Sequence, residues 1–204
     1  MNPLVFRAIV AAITFKNIWK YVIITILFII LLPFLSVLII SNAGIQGVSD
    51  QLVSINLQNH TIEIHDPTGK VIATIQAQTV WPLHGVVTLG FGQPDFPYQP
   101  VHTGIDIAAA YGTPITPFMK GKVIEVGHLN WGYGNYVLVD HGNSVTSLYG
   151  HMDRTNATVG HTVQPGDVIG YEGQTGWATG PHVHFQINVF GIPVNPRTFV
   201  EGNP

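Results

Sequence analysis

From Tyr21 to Ile40 the chain reads YVIITILFIILLPFLSVLII, twenty residues without a charge. As a helix rising about 1.5 Å per residue it is about 30 Å long, the thickness of a bilayer's hydrocarbon core. A helix apolar on every side needs a membrane or a large protein around it, and a chain of 204 residues supplies only one well-buried domain besides. Pro33 is compatible with a span, because neighbouring groups satisfy the carbonyl it frees. The run therefore predicts a transmembrane helix over 21–41, and the charges around it predict its direction. Arg7, Lys16 and Lys20 precede it, no acidic residue occurs before Asp50, and the part that follows carries five basic and 11 acidic residues, a formal net charge of −6. By the positive-inside rule residues 1–20 stay cytoplasmic and everything after the run is extracytoplasmic, so the expectation is a single-pass cell-membrane protein. Ser41-Asn42-Ala43 is a small-x-small triplet that would allow a cleaved, secreted form. The apolar run exceeds the roughly 7–15 residues of a signal-peptide core, which favours a retained anchor.

The exported part changes character. Residues 42–80 read as a polar connector followed by a hairpin: Thr61–His65 (TIEIH) and Val71–Ile75 (VIATI) alternate apolar with polar residues, joined through Asp66-Pro67-Thr68-Gly69. Over residues 81–200, short β-branched runs such as GKVIEVG, NYVLVDHGN and HVHFQINVFG alternate with glycine and proline, and few stretches sustain a helical period. The fold class predicted is all-β.

Composition then removes several chemistries. There is no cysteine, so disulfides, thiol nucleophiles and thiolate metal sites are excluded. An acidic exported part lacks the basic patch that nucleic acid requires, so no nucleic-acid partner is expected. Gly90-Phe91-Gly92 lacks the helix and the Lys-Ser/Thr of a phosphate loop. Met119-Lys120 is followed by Gly121, which breaks the pattern of a lipoyl or biotin attachment turn.

Ten histidines in a chain only 9 % charged require an explanation. His102 and Asp106 lie four apart around Gly104, and His182 and His184 are spaced to share one face of a strand. His151 follows Tyr149-Gly150 beside another β run. A catalytic zinc takes three protein ligands and keeps one position open. His102, Asp106 and one of the His182/His184 pair supply such a set. His141, in Asp140-His141-Gly142-Asn143, reads as a turn residue, and His60, His65, His84, His128 and His161 as strand-end or loop residues. Phe91, Phe96, Tyr98, Trp131, Tyr133 and Trp177 fall in predicted loops, and Tyr98 reads as a tyrosine packing on a groove rim.

Taken together, HTGIDIAAAYGTPITP (102–117), GYGNYVLVDHGN (132–143), LYGHM (148–152), VQPGDVIGYEGQTGWATGPHVHF (163–185) and the closing Gly191-Ile192-Pro193-Val194-Asn195-Pro196 resemble the lysostaphin/LytM family of zinc-dependent peptidoglycan endopeptidases, peptidase family M23. The resemblance covers about 120 residues. It implies a compact, mostly antiparallel β-sheet or sandwich domain of the duplicated-hybrid-motif kind, with a groove holding one Zn²⁺ and peptidoglycan peptides as substrate. By the same resemblance His102, Asp106 and His184 match the family's zinc ligands, and His151 and His182 its two catalytic, non-ligand histidines. Two positions depart from the common pattern. Gln93-Pro94 follows Phe91-Gly92 where many members carry an arginine, and Gln186 follows Phe185 where glutamate is usual. These are expected to alter groove charge and substrate preference. A catalytically inactive domain that binds wall or activates another hydrolase is the alternative, and such domains typically lose ligands that this chain keeps.

Overall fold

The computed structural model describes residues 3–56, 58–59, 61–76 and 79–204, with side chains from Ile18 onward except at positions 33, 34, 36–38 and 40. His60 and the side chains of Arg7, Lys16 and Pro33 thus lie outside the described residues. The chain forms two compact units, Met1–Ile40 and Ser41–Pro204.

The first unit is helical, the beginning of α1 (Pro3–Leu52). Among the described residues no helix is long and apolar enough to cross a membrane. The transmembrane helix predicted over 21–41 is therefore not supported by the structure and rests on the sequence of that run, part of whose side chains lie outside the described residues.

The second unit starts within α1, and here the expected connector is corrected. Helix continues to Leu52 and β1 (Val53–Asn56) follows directly. Ile45, Ser49 and Leu52 recur at helical spacing, and this face packs into the domain: Leu52 is buried, Ile45 packs on the core, and buried Ser49 accepts a hydrogen bond from the Asn195 amide at 2.8 Å. Gly44 and Gly47 hide that period in the sequence. The hairpin is present as β2 (Thr61–His65) and β3 (Val71–Gln76), antiparallel, with β1 as an added third strand. Its turn is closed by Asp66, whose Oδ1 accepts from the amides of Thr68 and Lys70 at 2.8 and 3.1 Å.

The remaining strands are β4 (Val86–Leu89), β5 (Ile105–Ala108), β6 (Pro114–Ile115), β7 (Gly121–His128), β8 (Asn135–Gly142), β9 (Val145–Met152), β10 (Arg154–Thr155), β11 (Thr162–Val163), β12 (Gly170–Tyr171), β13 (Val183–Val189) and β14 (Ile192–Val194). Eight of them form one antiparallel sheet in the order β11-β7-β8-β9-β13-β5-β4, with β14 also on β13, and β10-β12-β6 form a small second sheet. The fold is thus mostly antiparallel β.

Alternation along the two central strands sorts chemistry from packing. On β13, Val183, Phe185, Ile187 and Val189 are fully buried in the core, while His184, Gln186 and Asn188 occupy the opposite face; on β5, Ile105 and Ile107 face the core and Asp106 does not. Phe185 packs between Tyr149 and Phe118, with ring centroids 5.5 and 5.7 Å away. Each such buried apolar side chain contributes about 1.5–3 kcal/mol. His141 lies on β8 and belongs to this packing rather than to a turn. Its ring meets Phe118 edge-on, its Nδ1 donates to the Lys120 carbonyl at 2.9 Å, and its Nε2 lies 2.7 Å from the Ser147 hydroxyl.

Candidate metal centre

Register brings the chemistry-bearing residues together. His184 on β13 sits directly opposite Asp106 on β5 and opposite Gly150 on β9, so two side chains of kinds that can ligate a metal are neighbours on one face. Gly150 presents no side chain there, and His151 follows it at the end of β9. His102 precedes β5 by three residues and reaches the same place.

Three atoms converge. His102 Nε2 lies 3.0 Å from Asp106 Oδ1 and 2.9 Å from His184 Nδ1, and His184 Nδ1 lies 3.0 Å from the same carboxylate oxygen. All three residues are buried. Hydrogen bonding on the outer side sets the histidine protons. His102 Nδ1 faces the Gly90 carbonyl at 3.2 Å and must donate to it, which leaves a lone pair on Nε2 toward the centre. His184 Nε2 faces the Gln186 side-chain oxygen at 3.3 Å, which leaves the lone pair on Nδ1. Two imidazole lone pairs and a carboxylate oxygen thus meet in one buried spot, a donor set suited to a cation of zinc's preferences.

The other two histidines flank this set. His182 Nε2 is 3.7 Å from Asp106 Oδ2, and the rings of His151 and His182 lie 4.7 Å apart. Each donates its Nδ1 proton to a backbone carbonyl, His151 to Thr175 at 2.8 Å and His182 to Gly180 at 2.9 Å. Both therefore turn an Nε2 lone pair toward the cavity. His151 adopts φ 62°, a left-handed conformation uncommon for a residue with a Cβ, which aims its ring off the end of β9. Burial and its neighbours His184 and His182 push its pKa down to about 3, so it is neutral at pH 7.

All five residues line a cavity of about 530 Å³, walled by Tyr98, Trp131, Tyr133, Tyr136 and Trp177. Tyr98 stacks on Trp177 with centroids 5.6 Å apart, at the rim, while Phe91 of the same sequence group is buried in the core. The two departures from the family pattern are not on the groove. Neither Gln93 nor Gln186 lines the cavity. Gln93 closes a turn, its Oε1 accepting from the Gly90 amide at 2.6 Å and its carbonyl from the His102 amide at 2.8 Å. Gln186 is buried behind His184. Sequence reasoning missed both this placement and the role of Tyr136 in the wall. The signal for Gln186 was available: two residues beyond His184 on a strand is the same face.

Residues 100–196 match the model of peptidase family M23. Over 96 residues the chain is 44 % identical to the DD-carboxypeptidase/endopeptidase Mpg of Neisseria meningitidis serogroup B, covering 47 % of this chain and 22 % of that protein. Over 87 residues it is 38 % identical to lysostaphin of Staphylococcus simulans, covering 42 % of this chain and 18 % of that one. The chain thus spans about a fifth of the length of these curated relatives. Among solved structures, the catalytic domain of the prophage-encoded M23 protein EnpA from Enterococcus faecalis superposes with a TM-score of 0.53 at 37 % identity, covering 58 % of this chain and 96 % of that domain. The catalytic domain of S. simulans lysostaphin gives a TM-score of 0.53 at 30 % identity, over 56 % and 91 % respectively. On the strength of these matches, which span nearly all of each catalytic domain, the chain belongs to peptidase family M23.

Proposed function

We propose that this chain is a zinc metalloendopeptidase that hydrolyses peptide bonds of cell-wall peptidoglycan. The observation that carries the proposal is the convergence of His102 Nε2, Asp106 Oδ1 and His184 Nδ1 beside two further histidines whose lone pairs face the same cavity. His102, Asp106 and His184 are the proposed ligands. When bound, zinc supplies Lewis acidity, polarising a carbonyl and lowering the pKa of water toward about 7. His151 and His182 hold the proton. One of the two, a neutral imidazole with Nε2 free, accepts it from the attacking water, and the resulting imidazolium returns it to the departing amine. No side-chain nucleophile is needed. Relatives named as a peptidoglycan DD-endopeptidase and a glycyl-glycine endopeptidase support peptidoglycan as the substrate class.

The uncharged run Tyr21–Ile40 and the basic residues before it support a second part of the proposal: a single anchor, N-terminus cytoplasmic, with the catalytic domain outside the membrane and close to the wall. The proposed division of the chain is 1–20 cytoplasmic, 21–41 anchor, 42–80 linking segment and 81–200 catalytic. The purified chain, incubated with isolated peptidoglycan, should release new amino groups and no new reducing ends, and a zinc chelator should stop the release. Reducing ends would mean a glycosidase. Cleavage of casein with no action on walls would mean a general protease.

A further inference from the structure

Gln186 is the hydrogen-bond partner of His184 on the side away from Asp106. Of the four histidines at the site, His102, His151 and His182 are fixed from behind by backbone carbonyls, those of Gly90, Thr175 and Gly180. A backbone carbonyl cannot be removed by substitution. His184 alone is held by a side chain, its Nε2 donating to Gln186 Oε1 at 3.3 Å. The same oxygen accepts from the Thr103 hydroxyl at 2.7 Å and the Tyr133 hydroxyl at 3.2 Å. The amide nitrogen donates to Asn188 Oδ1 at 2.7 Å, which fixes which end of the amide faces the histidine.

No water can take the place of that oxygen. Gln186 and His184 are 6 % and 3 % exposed, and the backbone of Gly104 closes the other side, where an added Cβ would lie 2.9 Å from His184 Nε2. A buried N–H without a partner is costly, so loss of the acceptor favours any ring orientation that avoids it. Turning the ring takes Nδ1 away from Asp106 and His102. Thr103 adjoins the proposed ligand His102, and the Tyr133 ring lies 5.5 Å from the His184 ring, so one oxygen ties together three parts of the site.

We infer that Gln186 is a positioning residue for the metal centre, its side-chain oxygen holding His184 with Nδ1 toward the ion. The inference rests on the proposed zinc reading. Zinc affinity of the full-length chain, measured by competition with a chromogenic chelator, should fall about 10–100-fold in Gln186→Leu, the usual scale for losing an outer partner of a ligating histidine. Gln186→Glu, which keeps an acceptor at the same place, should stay within about threefold of the unaltered chain. Long-range ¹H–¹⁵N spectra of the zinc-loaded chain should show the His184 proton on Nε2 and protected from exchange, with protection lost in Gln186→Leu and kept in Gln186→Glu. Equal affinity and equal protection in Gln186→Leu would overturn the role of Gln186 and leave the zinc reading intact. A His184 proton on Nδ1 in the unaltered chain would overturn it even if Gln186→Leu fails to fold. No zinc on the unaltered chain would overturn both.

Discussion

A methyl group added at Gly104 would sit 2.5 Å from the Phe185 carbonyl oxygen and 2.8 Å from His184 Cε1. Neither neighbour is the free end of a flexible chain, so backbone or ring must move. Gly104→Ala is expected to cost about 1–3 kcal/mol of stability and to lower zinc content, read by elemental analysis of the purified protein. Full zinc in that variant would show that the ring has room the geometry denies. Ligands and proton carriers should separate by the same measurement. Asp106→Ala should release most of the metal, whereas His151→Ala and His182→Ala should keep it and lose about 10²-fold or more in rate. A His182→Ala protein without zinc would place His182 among the ligands. At this scale much was legible from spacing: His102 with Asp106, and His182 with His184, stand out in the sequence. Gln186 stood out only as a departure after Phe185; strand spacing put it on the face of His184, but its role was not legible until its partners Thr103 and Tyr133, 83 and 53 residues earlier, are placed around it.

At the scale of elements, the hairpin 61–76 was readable because alternation and an Asp-Pro-Thr-Gly turn are local signals. The last turns of α1 and strand β1 were not. Their buried face is only Ile45, Ser49 and Leu52, two exposed glycines break the pattern beside it, and it acquires meaning only where Leu52 and Ile45 meet the core. The same helix carries the uncharged run, and its direction is testable. Gly47 lies on an exposed part of α1 with nothing near an added side chain. In intact cells or spheroplasts a cysteine at Gly47 should react with a membrane-impermeant thiol reagent, and one at Asn2 should not. The chain has no native cysteine, so the background is clean. Labelling at Asn2 and not at Gly47 would reverse the proposed topology.

For the whole molecule, Glu172 is a source of pH sensitivity of folding. Its side chain is fully buried, Oε1 accepts from the Ala109 amide at 2.7 Å, and Oε2 has no partner among the described residues. Burial raises its pKa above 4.5. With the folded value raised, the unfolded chain ionises first as pH rises. The contribution is therefore fully present below pH 4.5 and is lost as pH climbs through the folded value. Between pH 4 and pH 7, chelator-treated Glu172→Gln should lose less stability, or gain more, than the unaltered chain in denaturant unfolding. Equal changes in the two proteins would mean that Glu172 stays partnered and ionised.

What the sequence determined by itself was local and periodic: an uncharged run of helical length, β-branched runs broken by glycine, a hairpin, and histidines at ligand spacing on strand faces. These depend on neighbours a few residues away, and the physics of a strand or a turn acts over that range. Only the tertiary structure decided which lone pairs meet. Asp106 and His184 are opposed because β5 and β13 pair in one register, and a slip of one residue would bury both among the core side chains. The same pairing put Gln186 behind the centre rather than on the groove, since hydrogen bonds between residues distant in the chain form only after the sheet has closed.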